Sequence, residues 1–332
     1  MTKRILITGA SGFIGGFLVE KALALGFDVT VSIRKGSDRS RLSDARIQFL
    51  EINFADENDL RAKLTAAGAF DYVIHNAGIT KAAQQQSYFD VNAENTRRLA
   101  EILRGQNLLR DRFLLMSSMA AMGPAVDKKF VGLDQKPTPV TAYGESKLLA
   151  EQYLAAMPAD FHWTAIQPTA VFGPADHEIF QFIQLMHRGF EFHIGRQPQA
   201  LTFIYVADLV EATFAAMLSP EGVNRKFMIC DGRAYSKDDL GAAVSAALGK
   251  KPFAKIRLPL SMVGVVATIS EKIGAWRNQA TAINREKMNE LGAASWRCDI
   301  SPLTDDVHWL PKFNLAEGMK EAVVWYRKHG WL

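Results

Sequence analysis

Three glycines spaced three residues apart, Gly9, Gly12 and Gly15, separate an apolar run at residues 4–8 from a helical pattern at residues 13–25. Residues three apart share one face of a helix, but glycine is a poor residue for a helix interior, so helix propensity does not explain this spacing. A bare backbone is needed where another group must come close to it. The chain is therefore predicted to begin with a strand, a sharp turn and a helix.

Strand-like and helix-like segments go on alternating through the first half of the chain. Parallel strands need crossover connections, and both faces of a parallel sheet must be covered by helices. The pattern predicts the α/β class, with a doubly wound parallel sheet of the Rossmann type. The apolar runs lie at residues 28–33, 47–52, 72–75, 113–116 and 164–167, and helical patterns between them include 94–104 and 143–156.

The glycine turn is suited to a negatively charged group. The first amides of a helix have no acceptors within the helix, and the helix dipole adds positive potential at that end. Bare glycines would let the diphosphate of a dinucleotide reach these amides, although a tight turn without a ligand is the alternative. The residues predicted to contact the cofactor here are Gly9, Ser11, Gly12, Phe13, Ile14 and Gly15.

The alternating pattern weakens after Val171, where Phe172, Gly173 and Pro174 interrupt it. Ligands of open α/β sheets bind beyond the carboxyl ends of the strands, so the later segments are expected to cover that edge. We predict a dinucleotide-binding Rossmann domain over residues 1–171. Residues 172–332 are predicted to form mainly a smaller substrate-binding lobe, interleaved with late strands of the Rossmann sheet.

Arg34 follows the second predicted strand. At this place an acidic residue would bind the adenosine ribose, whereas an arginine accommodates a 2′-phosphate. Arg34 therefore favours NADP as the cofactor. NAD is the alternative if this arginine is only a solvated surface residue.

Tyr143 and Lys147 lie four residues apart at the start of a predicted helix and so share one face. A tyrosine with its usual pKa near 10 is a weak base at neutral pH, and bringing that pKa to 7 needs about 4 kcal/mol. A lysine nearby and a positive nicotinamide ring are of the right order. Tyr143 is therefore predicted to transfer a proton.

Ser117 and Ser118 end an apolar run upstream of Tyr143, at the edge where a substrate would bind. A hydroxyl there can hydrogen-bond the substrate oxygen that Tyr143 protonates. Serines at strand ends are usually turn or cap residues, so Ser118 is a candidate only together with Tyr143 and Lys147. These three residues form the predicted catalytic group.

In combination these motifs resemble the extended short-chain dehydrogenase/reductases, in the NAD-dependent epimerase/dehydratase family, with similarity also to dihydroflavonol-reductase-like members. The resemblance covers nearly the whole chain. The segments that carry it are residues 8–15, His75 to Gly78, Val91-Asn92, Ser117-Ser118, 143–147, Gln167-Pro168, 171–174, 203–208 and 325–332.

The resemblance implies Tyr143 as the acid/base, Lys147 as the residue that binds the nicotinamide ribose and lowers the tyrosine pKa, and Ser118 as the hydroxyl partner. Asn53 stands where the family usually has an Asp beside the adenine, and an amide can still hydrogen-bond a base edge. Further cofactor contacts are expected at Phe54, Ala77, Gly78, Ser117, Pro168 and Val171, and substrate contacts at Thr80, Met119, Arg188 and Arg196.

Met119 and Ala120 stand where dehydratases of this branch carry an Asp-Glu pair. Elimination needs such groups within hydrogen-bond reach, so dehydration is disfavoured. We expect an epimerase or oxidoreductase that moves a hydride between nicotinamide and a secondary alcohol or ketone, with a nucleotide sugar as substrate. Two alternatives are an NADPH-dependent carbonyl reductase for a hydrophobic substrate and a non-catalytic dinucleotide-binding sensor or chaperone. Basic residues in 188–199 could face a nucleotide diphosphate or form a solvated loop.

Charge and composition bear on other classes. The net charge is +4 without a basic stripe, which gives little support for nucleic-acid binding. The apolar stretch at 258–269 is too short for a membrane span, and no cluster predicts a metal site. Cys230 and Cys298 favour reduced thiols in a cytoplasmic protein. Helices near 94–104 and 147–156 resemble those that pair in relatives, so a homodimer is expected.

Overall fold

Seven parallel strands form the central sheet of the computed structural model, which describes residues 2–125, 130–195, 197–259, 289–290 and 292–332. In chain order the strands are β1 (Arg4–Thr8), β2 (Asp28–Ile33), β3 (Gln48–Glu51), β4 (Phe70–His75), β5 (Leu109–Met116), β6 (Trp163–Pro168), β7 (Ala170–Phe172), β8 (Phe190–Ile194), β9 (Phe203–Tyr205), β10 (Arg225–Ile229) and β11 (Ala254–Leu258).

The helices alternate with these strands. In chain order they are α1 (Phe13–Ala24), α2 (Glu57–Ala67), α3 (Gln86–Tyr88), α4 (Asn95–Gly105), α5 (Ala142–Ala155), α6 (Glu178–His187), α7 (Val206–Leu218), α8 (Lys237–Leu248), α9 (Ser301–Asp306) and α10 (Leu315–Lys328). A π-helical segment, Phe89–Glu94, joins α3 to α4. Among the described residues, no helix is both long and apolar enough to cross a bilayer.

The strand order of the central sheet is β10-β6-β5-β4-β1-β2-β3. The chain moves outward from β1 to β3 and then returns to the other side of β1 with β4, so the direction of winding reverses between β1 and β4. This confirms the predicted doubly wound parallel sheet. Ligands bind at such a reversal, beyond the carboxyl ends of the strands.

Strand β1 shows how both faces of the sheet are covered. Ile5, Leu6 and Ile7 are fully buried, which is expected for a central parallel strand. Ile5 and Ile7 share a core with residues of α1 and α7, whereas Leu6 belongs to a second core with residues of α2, α4 and α5. Alternate residues of a strand point to opposite faces, so the two helix layers each receive their own apolar set.

The second half of the chain builds outside the sheet and then returns to it. Strands β7 and β9 form one parallel pair, and β8 and β11 form another. Strand β10 pairs with β6 and forms an edge of the central sheet. A third core joins β7 and β9 with α6, α8 and α10. The predicted boundary between residues 171 and 172 remains a prediction.

Asp208, on α7, connects this outer part to the sheet layer. Its buried carboxylate accepts hydrogen bonds from the backbone amides of Lys312 (3.0 Å) and Phe313 (2.8 Å), just before α10. Asp208→Ala is expected to lower the free energy of unfolding by about 1–3 kcal/mol, because both amides lose a charged acceptor. Asp208→Asn keeps one acceptor oxygen and should cost less. Urea unfolding of the two variants checks this, and equal losses would contradict the role of the hydrogen bonds.

Candidate active site

The glycine turn brings β1, α1 and the end of β4 into backbone contact. Gly9 has a φ of +66°, and a Cβ on it would lie 2.7 Å from the Ala77 nitrogen. A Cβ on Gly15 would lie 2.1 Å from the Gly9 carbonyl oxygen. Side chains at these two places would therefore force the elements apart. The turn is open to solvent at Ser11 and Gly12.

The start of α1 fits the predicted diphosphate. Gly12 is the N-cap residue and supplies no side chain to the helix amides, and the first turn contains no acidic residue. The amides of Phe13, Ile14 and Gly15 therefore have no capping acceptor from the cap residue, in a place where the helix dipole favours an anion. This is the arrangement that a dinucleotide diphosphate requires.

Lys147, on α5, lies beside Gly78 at the same edge. A Cβ on Gly78 would lie 3.2 Å from the Lys147 Nζ and 2.9 Å from the Asn92 Oδ1. The buried ammonium donates to the Met116 carbonyl oxygen at 2.8 Å, which leaves two of its hydrogens without a hydrogen bond to a described residue. Burial lowers the pKa of Lys147 to about 8. These hydrogens fit the hydroxyls of a nicotinamide ribose.

The Ser117 side chain bonds within the domain, and its predicted contact with the cofactor stays a prediction. Its buried hydroxyl donates to the Glu151 carboxylate, which also accepts from Gln167 Nε2 at 2.8 Å and pairs with Lys226 at 3.2 Å. The Ser117 side chain is thus used inside the domain, between β5, β6 and α5. A strand end alternates its side chains, so only one of two neighbouring serines can face the site.

Ser118 and Tyr143 come together as predicted. The Tyr143 hydroxyl lies close to the Ser118 hydroxyl, which accepts from the Ala120 amide at 3.1 Å. Burial nevertheless raises the pKa of Tyr143 to about 12, although the nearby Ser118 hydroxyl acts in the opposite direction. The pKa of Tyr143 is thus raised, whereas we expected it to be lowered. The reason is that the Lys147 ammonium is bound to the Met116 carbonyl oxygen, so desolvation of the phenol dominates.

Three residues near Tyr143 were missed by the sequence reasoning. The Tyr88 ring lies edge-on to Tyr143, with centroids 6.1 Å apart. The carboxylates of Glu178 and Glu290 are close enough to raise its pKa further. Glu178, at the start of α6, follows the interruption at residues 172–174. That interruption is the one sequence feature that could have pointed to Glu178 as a site residue. Glu290 comes from a segment more than a hundred residues away, for which the sequence holds no local signal.

The residues predicted to contact the substrate lie in different parts of the structure. The Thr80 carbonyl oxygen is 3.5 Å from the Tyr88 hydroxyl, so Thr80 lies next to the Tyr143 side. Met119 is buried in an apolar cluster with Met122. Arg188 is exposed at the C-cap of α6, at the opposite end of that helix from Glu178 and about 15 Å along it. Arg196 and most of the stretch 258–269 lie outside the described residues.

The remaining predicted cofactor residues surround the carboxyl edge. Arg34 is exposed at the end of β2, and Asn53 is exposed after β3, where its side-chain oxygen accepts from the Ala55 amide at 3.1 Å. Phe54 lies against His75, with ring centroids 5.9 Å apart. Pro168 is the last residue of β6, and Val171 lies in β7.

Arg41 was not predicted, yet its guanidinium lies across the start of α1. It donates to the Phe13 carbonyl oxygen at 3.1 Å and sits over the Phe17 ring, 4.9 Å from its centroid. Nothing in the local sequence distinguishes Arg41 from the neighbouring surface arginines. It places a second cation, in addition to Arg34, near the turn between β1 and α1.

Comparison with known proteins agrees with this geometry. The model of the NAD dependent epimerase/dehydratase family matches residues 5–230. The chain is 28% identical over 330 residues to the ceramide reductase of Caulobacter vibrioides, with 99% of this chain and 96% of that protein covered. It is 24% identical over 332 residues to the UDP-glucose 4-epimerase of Vibrio cholerae, with 97% and 95% covered.

The crystal structure of UDP-glucose 4-epimerase with UDP-glucose from Thermotoga maritima has a TM-score of 0.79 to this chain at 22% identity, covering 98% of this chain and 99% of that chain. At this identity the likeness shows the fold. Together the fold and the family match define an NAD(P)-binding enzyme of the extended short-chain dehydrogenase/reductase type. The chain belongs to the NAD dependent epimerase/dehydratase family.

Burial of Lys147 has a consequence for stability. Its pKa of about 8 is below the ordinary 10.5, so at neutral pH the folded protein holds a charge that the unfolded chain solvates better. Lys147→Met is expected to raise the free energy of unfolding at pH 7 by about 1–3 kcal/mol. The difference should shrink between pH 8 and 10.5, where only the unfolded chain still binds the proton.

Denaturant unfolding across this pH range checks the prediction, with the same change at exposed Lys136 as the control. A Lys147→Met protein whose advantage over the wild type does not change with pH would contradict it.

Proposed function

We propose that the protein is an NADPH-dependent reductase of a ketone on a hydrophobic, long-chain substrate. The observation that carries this proposal is the placement of the Glu178 and Glu290 carboxylates near Tyr143, with Arg188 at the far end of α6. The Glu178 carboxylate is paired with the Lys81 ammonium at 3.0 Å, so the Glu290 carboxylate is the one that disfavours an anionic substrate such as a nucleotide diphosphate, whereas a neutral substrate is tolerated. The near full-length similarity to a ceramide reductase supports the same class of substrate.

An apolar wall supports a lipid-like substrate as well. The residue after Ser118 begins a buried cluster that includes Met119, Met122 and Met228, and Trp296 packs against it. Trp296 donates its indole N–H to the Glu290 carbonyl oxygen at 3.1 Å, so this wall continues toward the Tyr143 side. The methionines are themselves buried, so a chain of methylene groups would lie along the partly exposed side chains that cover them, Leu133, Trp296 and Ile300.

The protonation states suit reduction. Tyr143, with a pKa near 12, carries its proton at neutral pH and can donate it to the oxygen of a ketone. Ser118, which lies close to Tyr143, can bind the same oxygen and orient it. Lys147 would hold the nicotinamide ribose with its two remaining hydrogens. The dinucleotide, when bound, supplies the hydride.

Dehydration is disfavoured in this proposal, because Met119 is buried and Ala120 has no acid/base group.

A nucleotide-sugar 4-epimerase is the second candidate, supported by the similarity to the Vibrio cholerae epimerase over nearly the whole chain. We also propose that the enzyme is a homodimer, with α4 and α5 forming the contact, as in the family that it resembles.

Tyr143→Phe is expected to lower the rate of NADPH oxidation with a long-chain ketone by about 100-fold or more, because the proton donor is lost. The matched control is Tyr153→Phe on the same helix, whose phenol binds Glu94 at 2.6 Å outside the site. NADPH absorbance is followed with a series of ketones of increasing chain length. Equal rates for wild type and Tyr143→Phe would contradict the catalytic role.

The same assay separates the two candidate functions. Interconversion of UDP-glucose and its 4-epimer without added dinucleotide, together with no NADPH oxidation on any ketone, would favour the epimerase.

The NADP preference rests on Arg34 and Arg41. Arg34→Asp is expected to weaken NADPH binding by about 10- to 100-fold, because a charged hydrogen bond to the 2′-phosphate is replaced by repulsion, while NADH binding stays equal or improves. Fluorescence titration gives both dissociation constants. Arg104→Asp on α4, whose side chain pairs with Asp160 at 3.2 Å, makes the same charge change elsewhere. Unchanged NADPH affinity in Arg34→Asp would contradict the preference.

A further inference from the structure

Three helix C-termini lie side by side on the outer part of the protein. Lys250, just after α8, donates its ammonium to the His187 carbonyl oxygen at the end of α6 (2.8 Å). Arg327, in the last turn of α10, donates to the Leu248 carbonyl oxygen at the end of α8 (2.7 Å). We call residues 185–190, 248–254 and 324–330 the helix-end surface.

The helix-end surface is strongly cationic. Its three segments contain no Asp or Glu. Cations at helix C-termini complement the helix dipole, which accounts for the two residues that bind carbonyl oxygens there. The other three cations, Arg188, Lys251 and Lys328, form no ion pair and no side-chain hydrogen bond with a described residue. The five cations are Arg188, Lys250, Lys251, Arg327 and Lys328.

The acidic residues nearest in sequence are Glu191 and Glu321, and neither forms an ion pair with one of the five cations. Glu191 follows the first segment, and its carboxylate pairs with the Lys255 ammonium at 3.1 Å. Lys255 also pairs with Asp238, and His193 lies 2.5 Å from Glu191. The Glu191 and Asp238 carboxylates are thus held by Lys255 and His193 in a cluster of their own beside the helix-end surface.

Exposed apolar side chains stand among the cations. Of the large hydrophobic residues exposed in the described part of the chain, three lie here: Phe253 at 75%, Val324 at 54% and Leu185 at 37% exposed. Each lies close in sequence to a helix end that carries a cation. Large exposed apolar side chains grouped in this way mark an interaction surface.

Phe253 is both exposed and held in place. Its backbone amide donates to the Gly189 carbonyl oxygen at 3.0 Å. A Cβ on Gly189 would lie 2.3 Å from the Phe253 ring, so the ring rests on a bare backbone. The Phe190 ring contacts it edge-on, with centroids 4.7 Å apart. One side of the ring is thus fixed on the residue after Arg188, and most of the side chain is exposed to solvent two residues after Lys251.

We propose that the helix-end surface docks the protein on an anionic phospholipid bilayer. An exposed aromatic side chain on a surface that carries cations fits the boundary between headgroups and acyl chains, where the ring is buried and the cations meet lipid phosphates. The long aliphatic parts of the lysine and arginine side chains let their charged groups reach the lipid headgroups. This docking depends only on the charge and exposure of the surface, so it is independent of the substrate proposed above.

The test is co-sedimentation with vesicles, with no cofactor or substrate present. The wild-type protein is mixed with vesicles of phosphatidylcholine alone or with added phosphatidylglycerol, at salt from about 0.1 M to about 1 M. Binding is expected only with phosphatidylglycerol, and salt should release it. The double variant Phe253→Ser/Lys251→Glu should bind at least about tenfold more weakly, because it loses the inserted ring and reverses one charge.

The matched control is Leu310→Ser/Lys136→Glu, which makes the same kinds of change at exposed residues outside the helix-end surface. Thermal melting verifies that both variants fold. The proposal is overturned if the wild type does not bind anionic vesicles, or if the two double variants bind equally. It is also overturned if this surface instead binds duplex DNA as tightly as vesicles, or if the wild type sediments as a dimer that the Phe253→Ser/Lys251→Glu change dissociates.

Discussion

The turn at Gly9 touches the backbone of Ala77, and this contact joins the two halves of the sheet where the winding reverses. The Thr8 hydroxyl lies 2.8 Å from the His75 Nδ1 and accepts from the Ala77 amide at 3.0 Å, so the ends of β1 and β4 are tied at the same level. Because no Cβ intervenes, the start of α1 and the Gly78 surface open into one groove. A dinucleotide that bridges a helix N-terminus and a lysine needs this arrangement.

Desolvation governs the charges in that groove. Burial lowers the pKa of His75 to about 3, so its imidazole is neutral and serves as a hydrogen-bond partner. Lys147 is buried close by, and burial brings its pKa to about 8, so it is charged at pH 7 and is the local cation. The same effect keeps the proton on Tyr143. Tyr143 is therefore protonated at neutral pH, as the proposed reduction requires.

The strands and helices could be predicted closely, because the sequence patterns that specify them lie within short segments. The glycine spacing, the apolar runs and the helical patterns placed the sheet strands of the first half. The predicted ends match those of β1 and β2 and differ by up to four residues elsewhere, as where residues 113–116 became Leu109–Met116. The pairing of Tyr143 with Ser118 followed from the expected carboxyl edge. The use of Ser117 by Glu151, and the sign of the Tyr143 pKa, could not be predicted, because both depend on what surrounds a buried group.

The sequence by itself determined the order of strands and helices and the bare turn at Gly9, since periodicity and glycine conformation are properties of short segments. The tertiary structure decided which distant residues share a surface. It brought Glu178 and Glu290 to Tyr143, set Arg188 at the far end of α6, and gathered the ends of α6, α8 and α10. Those contacts join residues far apart in the chain, and only the packing of whole helices and strands fixes their distances.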